Sequence, residues 1–391
     1  MSSYALQSSR INLQTELSLT PKLQVKPRAA DSRLAKLQPP RRAGKTGALP
    51  CGRFARIIGA AFFLEAIKID MRRAFMKMTK YFPEGHMTVK QNKQTAQSRQ
   101  RKDSGAKKKG TCIVLEGGGM RCAFTAGVLD YLLDNGFFFD HLIGVSGGAC
   151  AGASYIAKQK RRNYAAHVVY PQAPEYMGMK QQFTKGSYFN MDFIFRKVPD
   201  EINLFDYKTA LANPAKFDMI VTSQETGKAE ALGKDGIDAK SFMQRLIATS
   251  SIPLLAKPVN VDGKMYYDGG VADSIPIAYA LSMYSKVVVV ATRPRGYRKE
   301  PPRSKWLMKL LFCRHKALGE AMINRSANYN ASLKLCEEAE ADGRAFVISP
   351  DAKYKISRTE KDIIMRDMVY RHGYALMEDK FAAMKKFLGG K

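Results

Sequence analysis

A serine between glycines, a run of bare glycines and a carboxylate on a glycine turn are the residues with chemistry to offer. Gly144-Val145-Ser146-Gly147-Gly148 fits the pattern G-x-S-x-G. That pattern asks for a tight strand-to-helix turn that lifts a serine oxygen clear of a sheet, and its glycines remove the Cβ atoms that would clash there. A helix starting at the turn points its positive end at the hydroxyl and favours negative charge on it. The bland alternative is a serine in a packing turn. Upstream, Gly117-Gly118-Gly119-Met120-Arg121 offers backbone N–H groups with no side chains in the way. Such groups suit a tetrahedral oxyanion, and Arg121 would add a charged donor or brace the loop's carbonyls. Asp268 follows Tyr266-Tyr267 and precedes Gly269-Gly270. A partly buried carboxylate takes a serine proton directly once its pKa rises toward the working pH. Standing alone, Asp268 would read as a turn former.

Five histidines, at 86, 141, 167, 315 and 372, compete for the role of base. None stands in a motif, and surface or capping roles suit them better. His141 opens the run that leads to Ser146, which puts it at the far end of that strand. His315 and His372 remain the rival bases. The loop at 117–122 also nearly fits a dinucleotide fingerprint, with Asp140 as the acid about 20 residues on. Its third glycine place holds Cys122, and that reading leaves Ser146 unused.

Regular elements must hold these residues in place. Residues 112–116 read as an apolar strand and 123–136 as a helix with Phe124, Val128, Leu129 and Leu132 at helical spacing, closed by Gly136. Residues 141–146 read as a second strand, and 147–159 as a helix of small residues able to sit close to a sheet. Strand and helix in alternation with short links predict a parallel α/β sheet. Residues 158–215 are irregular and rich in aromatics, an excursion over the sheet with a lid or acyl-chain wall as its sharper reading. Two strands around Thr226-Gly227 follow, then a helix capped by Asp238 and a hairpin turning at Asp262-Gly263. A buried strand at 286–292, two helical stretches over 304–341, a last strand at 345–350 and a helical end at 357–388 complete the chain.

Four segments in order, GGGMR, GVSGGA, ATSSIPLL and DGGVADSIP, resemble those of the patatin-like phospholipases, in particular a bacterial group. The resemblance covers about 111–391 and is densest at 111–296. It implies a three-layer α/β/α sandwich with a mainly parallel central sheet. It implies a Ser–Asp dyad that hydrolyses acyl esters of lipids or phospholipids through an acyl-enzyme, with no metal or organic cofactor. On this chain the nucleophile would be Ser146 and the base Asp268, with the oxyanion loop at Gly117, Gly118, Gly119 and Arg121. Cys122 departs from the pattern, where the family's loop usually has glycine. A lipid- or membrane-binding protein without turnover is the alternative from another class.

Composition narrows the setting. The net charge is +29, and residues 1–110 hold 24 Lys and Arg against 6 Asp and Glu, while residues 111–391 hold 40 against 29. Most of the excess therefore lies in a basic N-terminal extension, 1–110, expected to be disordered or partly helical at 54–78. No finger, recognition helix or RNP signature accompanies the charge, which argues against nucleic acid as a partner. Cysteines at 51, 112, 122, 150, 313 and 336 form no CxxC pair and read as free thiols of a reducing compartment. No secretory signal opens the chain, and the apolar run at 57–64 is too short to span a bilayer. A cytoplasmic protein with peripheral membrane contact is the expectation.

Overall fold

The computed structural model describes residues 108–389. The extension over 1–107, with its helical stretch at 54–78, lies outside the described residues. Eight strands make one mixed sheet. Strand β1 is Cys112–Leu115, β2 His141–Val145, β3 Lys216–Ser223, β4 Ala229–Gly233, β5 Val259–Val261, β6 Lys264–Asp268, β7 Val287–Val290 and β8 Ala345–Ile348. Their order is β5-β6-β3-β2-β1-β7-β8, with β4 also pairing β3. The run β3-β2-β1-β7-β8 is parallel, and β4, β5 and β6 add antiparallel pairs at one side.

Strands β1, β2 and β7 are buried along their whole length. That explains their unbroken apolar sequence, since a strand covered on both faces has no polar side to present. Ile113 and Leu115 of β1 face one apolar layer, Cys112 and Val114 the other. The first layer contains helix α1 (Ala123–Asp134), α2 (Gly147–Ile156) and α9 (Ile363–Phe387). The second contains α6 (Ile277–Met283) and α8 (Lys316–Ala341). The result is the expected α/β/α sandwich.

Helix α1 departs from a one-faced helix. It is buried all round, because α9 covers the side turned away from the sheet. The crossing is close at Gly127 and Gly373: a Cβ on Gly127 would stand 2.0 Å from the Tyr370 carbonyl oxygen, and one on Gly373 2.2 Å from that of Phe124. Gly136 closes α1 at φ +62°, as its sequence position predicts. The hairpin β5–β6 turns at Asp262-Gly263, both with positive φ. Asp238 caps α5 (Ala239–Ser250) by accepting the Ser241 N–H at 2.7 Å. The excursion at 158–215 folds as short helical pieces, among them α3 (Met179–Lys185), α4 (Tyr207–Ala212) and π-helical turns at Ala165–Val169 and Phe193–Ile202. The two expected C-terminal helices are α7 (Lys305–Leu311) and α8, and the helical end starts at Ile363 rather than 357. Among the described residues no helix is long and apolar enough to cross a membrane.

Candidate active site

Ser146 stands where β2 gives way to α2. Its backbone is at φ +52°, a region a non-glycine residue adopts only under constraint, at a cost of roughly 1–3 kcal/mol. Two things hold it there. Gly148 lets α2 approach the end of β1, for a Cβ on it would stand 2.6 Å from the Leu115 carbonyl oxygen. Thr249, at the end of α5, accepts the Ser146 N–H at 3.0 Å and donates its hydroxyl to the Ile220 carbonyl. The elbow is thus tied to both neighbouring strands.

Sheet register brings Asp268 to it. Val145 lies beside Ile220, and Val221 lies opposite Asp268. The Asp268 N–H donates to the Ser251 carbonyl at 2.8 Å, two residues from the threonine that holds Ser146. One short stretch, 249–251, therefore braces both residues. The carboxylate is buried, and burial pushes its pKa up. The Ser146 hydroxyl, by hydrogen bonding, pulls it back first, then Arg325, the Gly270 N–H at 2.7 Å and Arg358.

The glycine loop divides its tasks. Gly117 donates its N–H to the Ser274 carbonyl at 3.3 Å, so that amide is taken. Arg121 turns away from Ser146: its Nε reaches the Thr292 hydroxyl at 3.5 Å, and burial with Arg358 and Arg293 lowers it to about 10. The Gly118 and Gly119 amides have no carbonyl partner among the described residues. Gly119 has φ +56° and shares a cavity wall with Ser146. Of the expected donors Gly117, Gly118, Gly119 and Arg121, the Gly117 amide and the Arg121 Nε are thus engaged with other protein groups. Cys122 sits behind, buried, its thiol on the Glu116 carbonyl at 3.6 Å, so a small thiol fits the loop where glycine was expected.

A cavity of ≈ 120 Å³ opens at Ser146, Gly119 and Gly147. Its walls are mostly apolar and include Tyr176, Phe189, Ile194, Phe195, Val198 and Met243. Five of these six come from the 158–215 excursion. His167 lines the same cavity, is buried, and has its pKa lowered chiefly by that burial. Sequence reasoning had put it among surface or capping histidines, and no local pattern marks it otherwise. His141 bonds Asp218 at 2.9 Å and Tyr284 at 3.2 Å, at the opposite end of β2 from Ser146. His315 contacts Gln224, and His372 accepts the Asp351 N–H at 3.1 Å. Neither lines the cavity. Asp140, the acid of the dinucleotide reading, accepts from the Thr111 backbone at 2.7 Å and hydroxyl at 2.9 Å and belongs to the far end of the sheet.

Glu116 went unnoticed in the sequence. It is fully buried, with Thr292 N–H on one oxygen at 2.5 Å and the Tyr329 hydroxyl on the other at 2.8 Å. It pins the ends of β1 and β7 to α8. Among the described residues no group of three or more His, Cys, Asp or Glu is placed to hold a metal ion.

Comparison with known proteins adds the family. Residues 315–389 match a domain of unknown function, DUF6363. The uncharacterized protein YjjU of Escherichia coli (strain K12) is 26% identical over 259 residues, 62% of this chain and 66% of its own length. This chain thus spans just under two thirds of that relative. A crystal structure of VipD from Legionella pneumophila superposes with a TM-score of 0.37 at 12% identity, over 71% of this chain and 67% of that one. A likeness so slight bears on neither fold nor function. Residues 113–281 match the family described as patatin-like phospholipase, and the chain therefore carries a patatin-like phospholipase domain.

Proposed function

We propose that the chain is a serine acyl hydrolase that cleaves carboxylic esters of lipids with Ser146 and Asp268. The observation that carries this reading is the Ser146 hydroxyl, raised on a constrained elbow at the mouth of an apolar cavity, against a buried carboxylate. An acyl chain enters the cavity and its carbonyl carbon meets the Ser146 Oγ. Asp268 takes the hydroxyl proton as the C–O bond forms, and the Gly118 and Gly119 amides receive the oxyanion. Collapse breaks the ester bond, and the proton on Asp268 passes to the leaving alcohol. Water then attacks the acyl-serine, giving its proton to Asp268, and the fatty acid leaves as the serine oxygen regains that proton.

Turnover of a short-chain ester tests the dyad. Ser146→Ala and Asp268→Asn should each lower kcat on the order of a thousandfold or more, with unchanged melting curves. Wild-type turnover in either variant would remove the pair. Vesicle binding that persists in Ser146→Ala, with no acyl release by wild type, would favour the lipid-binding alternative. His167→Ala should keep activity within about tenfold, as expected of a wall residue rather than a base.

A further inference from the structure

The apolar cavity at Ser146 follows helix α2. Gly147, Cys150, Ala153 and Ser154 line it, so one face of the helix forms its wall from the first turn to the last. At about 1.5 Å per residue, Ser154 lies roughly 12 Å along the axis from Ser146. Arg162, which opens the short helix Arg162–Tyr164, hangs from that last turn. Its N–H donates to the Gln159 carbonyl at 3.3 Å, and the Gln159 N–H to the Ser154 carbonyl at 3.2 Å. The Gln159 side chain holds the Leu204 carbonyl at 2.8 Å and the Asp206 N–H at 3.1 Å, with Phe205 between them. Arg162 and Phe205 both line the cavity, at the end remote from Ser146.

Arg162 is a cation in an apolar wall, 9% exposed. The lining holds no Asp or Glu, and burial turns His167 toward its neutral form. Among the described residues Arg162 is in no ion pair. The titratable groups within electrostatic reach are Tyr170 and Tyr207, phenols rather than carboxylates. One nitrogen, Nη1, donates to the Asn203 carbonyl and, at 2.8 Å, to the Asn203 side-chain oxygen. The guanidinium lies 5.1 Å from the centre of the Phe205 ring, which answers part of its charge. Nε and Nη2 have no acceptor among the described residues. A wall for hydrocarbon alone has no use for such a group, because a buried charge without a counter-ion gives up hydration that these contacts only partly replace. The open side of the guanidinium, Nε with Nη2, is the fork that takes a carboxylate through two N–H groups.

We propose that Arg162 selects acyl groups that end in a carboxylate, binding that carboxylate at the far end of the cavity while the ester carbonyl lies at Ser146. The assignment rests on the reading of Ser146 as nucleophile, and it names a substrate class: esters of dicarboxylic acids cleaved at one end. The methylenes between the two ends pack on the apolar walls, among them Ile194, Phe195 and Met243. Ser154 adds a hydroxyl to the wall from which Arg162 hangs. A chain too short to reach Arg162 leaves its carboxylate unpaired in the apolar middle, and a chain ending in methyl leaves the fork unanswered. The distance along α2 therefore acts as a ruler for the acyl group.

The p-nitrophenyl ester of octanoic acid and the p-nitrophenyl half-ester of octanedioic acid share a leaving group and a chain length and differ at the far end. Wild type should favour the half-ester in kcat/KM by roughly tenfold or more, chiefly through KM. In Arg162→Gln that ratio should fall about a hundredfold, and in Arg162→Lys, which keeps the charge without the fork, by less. Equal turnover of the two esters by wild type, or a preference for octanoate, overturns the proposal without recourse to a variant. A wild-type preference that survives in Arg162→Gln overturns the role of Arg162. Should Arg162→Gln lose its melting transition, Arg162→Lys decides the same point, an unchanged ratio counting against the fork. Calorimetric titration with octanedioate and with octanoate separates the carboxylate site from the hydrolase reading. Wild type should bind octanedioate roughly tenfold more tightly than octanoate, and Arg162→Gln should not discriminate. If wild type cleaves neither ester yet shows this selective binding, the nucleophile reading fails and the carboxylate site stands. If it cleaves neither and binds the two acids alike, the carboxylate site falls as well.

Discussion

Asp268 is a carboxylate under opposed influences. Burial raises its pKa above the ordinary carboxylate value, and Ser146, Arg325, the Gly270 N–H and Arg358 pull it down, burial prevailing. A base works when ionised, so kcat/KM should rise with pH through the folded pKa of Asp268, on a limb above the usual carboxylate range. Arg358 favours the charged form, so Arg358→Gln should move that limb to higher pH. A pH profile of kcat/KM on a neutral short-chain ester checks the sign; a limb displaced to lower pH would contradict it. Gly119→Ala probes the loop. Its φ of +56° and a Cβ 2.7 Å from the Arg358 carbonyl oxygen force the loop to move. We expect kcat to fall about a hundredfold with little change in KM, as for loss of an oxyanion donor. Ser146 and Asp268 were legible in the sequence as candidates because the elbow and the glycine turn demand particular neighbours. Thr249 and Ser251 were not, since they act by bonding backbone groups of distant strands, which imposes no local pattern. Arg293, Arg325 and Arg358 come from separate segments and carry no common spacing either.

Elements were read most easily where one constraint fixes them. Strands β1, β2 and β7 are short apolar runs because both faces are covered, and the hairpin at Asp262-Gly263 is fixed by its turn. Helix α1 was recognisable as a helix but not as a fully buried one, for α9, some 240 positions away in sequence, supplies the cover. The π-helical pieces at 165–169 and 193–202 escaped altogether, because apolar spacing does not announce an i→i+5 pattern. The α1–α9 crossing offers a test at this scale. Gly127→Val should lower the melting temperature markedly, since overpacking a tight contact costs about 1–3 kcal/mol or more. An unchanged melting temperature would mean that the helices are less closely joined than the glycine pair requires.

At the scale of the molecule, the C-terminal segment completes the domain that precedes it. Helix α8 supplies Tyr329 to Glu116 and Arg325 to the Gly270 carbonyl, β8 covers the edge of β7, and α9 covers α1. Removing the chain from Cys313 onward would strip one layer of each face and leave Glu116 half unpaired. Such a truncation should lose its cooperative thermal transition and its ester turnover together; a folded, active product would show the segment to be an accessory. The proposed reaction depends on Ser146 being a nucleophile activated by Asp268, and covalent labelling reads this most directly. Wild type treated with an alkyl phosphonate ester should carry the adduct on Ser146 by peptide mass spectrometry, Asp268→Asn should label far more slowly, and Ser146→Ala not at all. An adduct on another residue, or labelling of Ser146 at an unchanged rate in Asp268→Asn, would contradict the assignment.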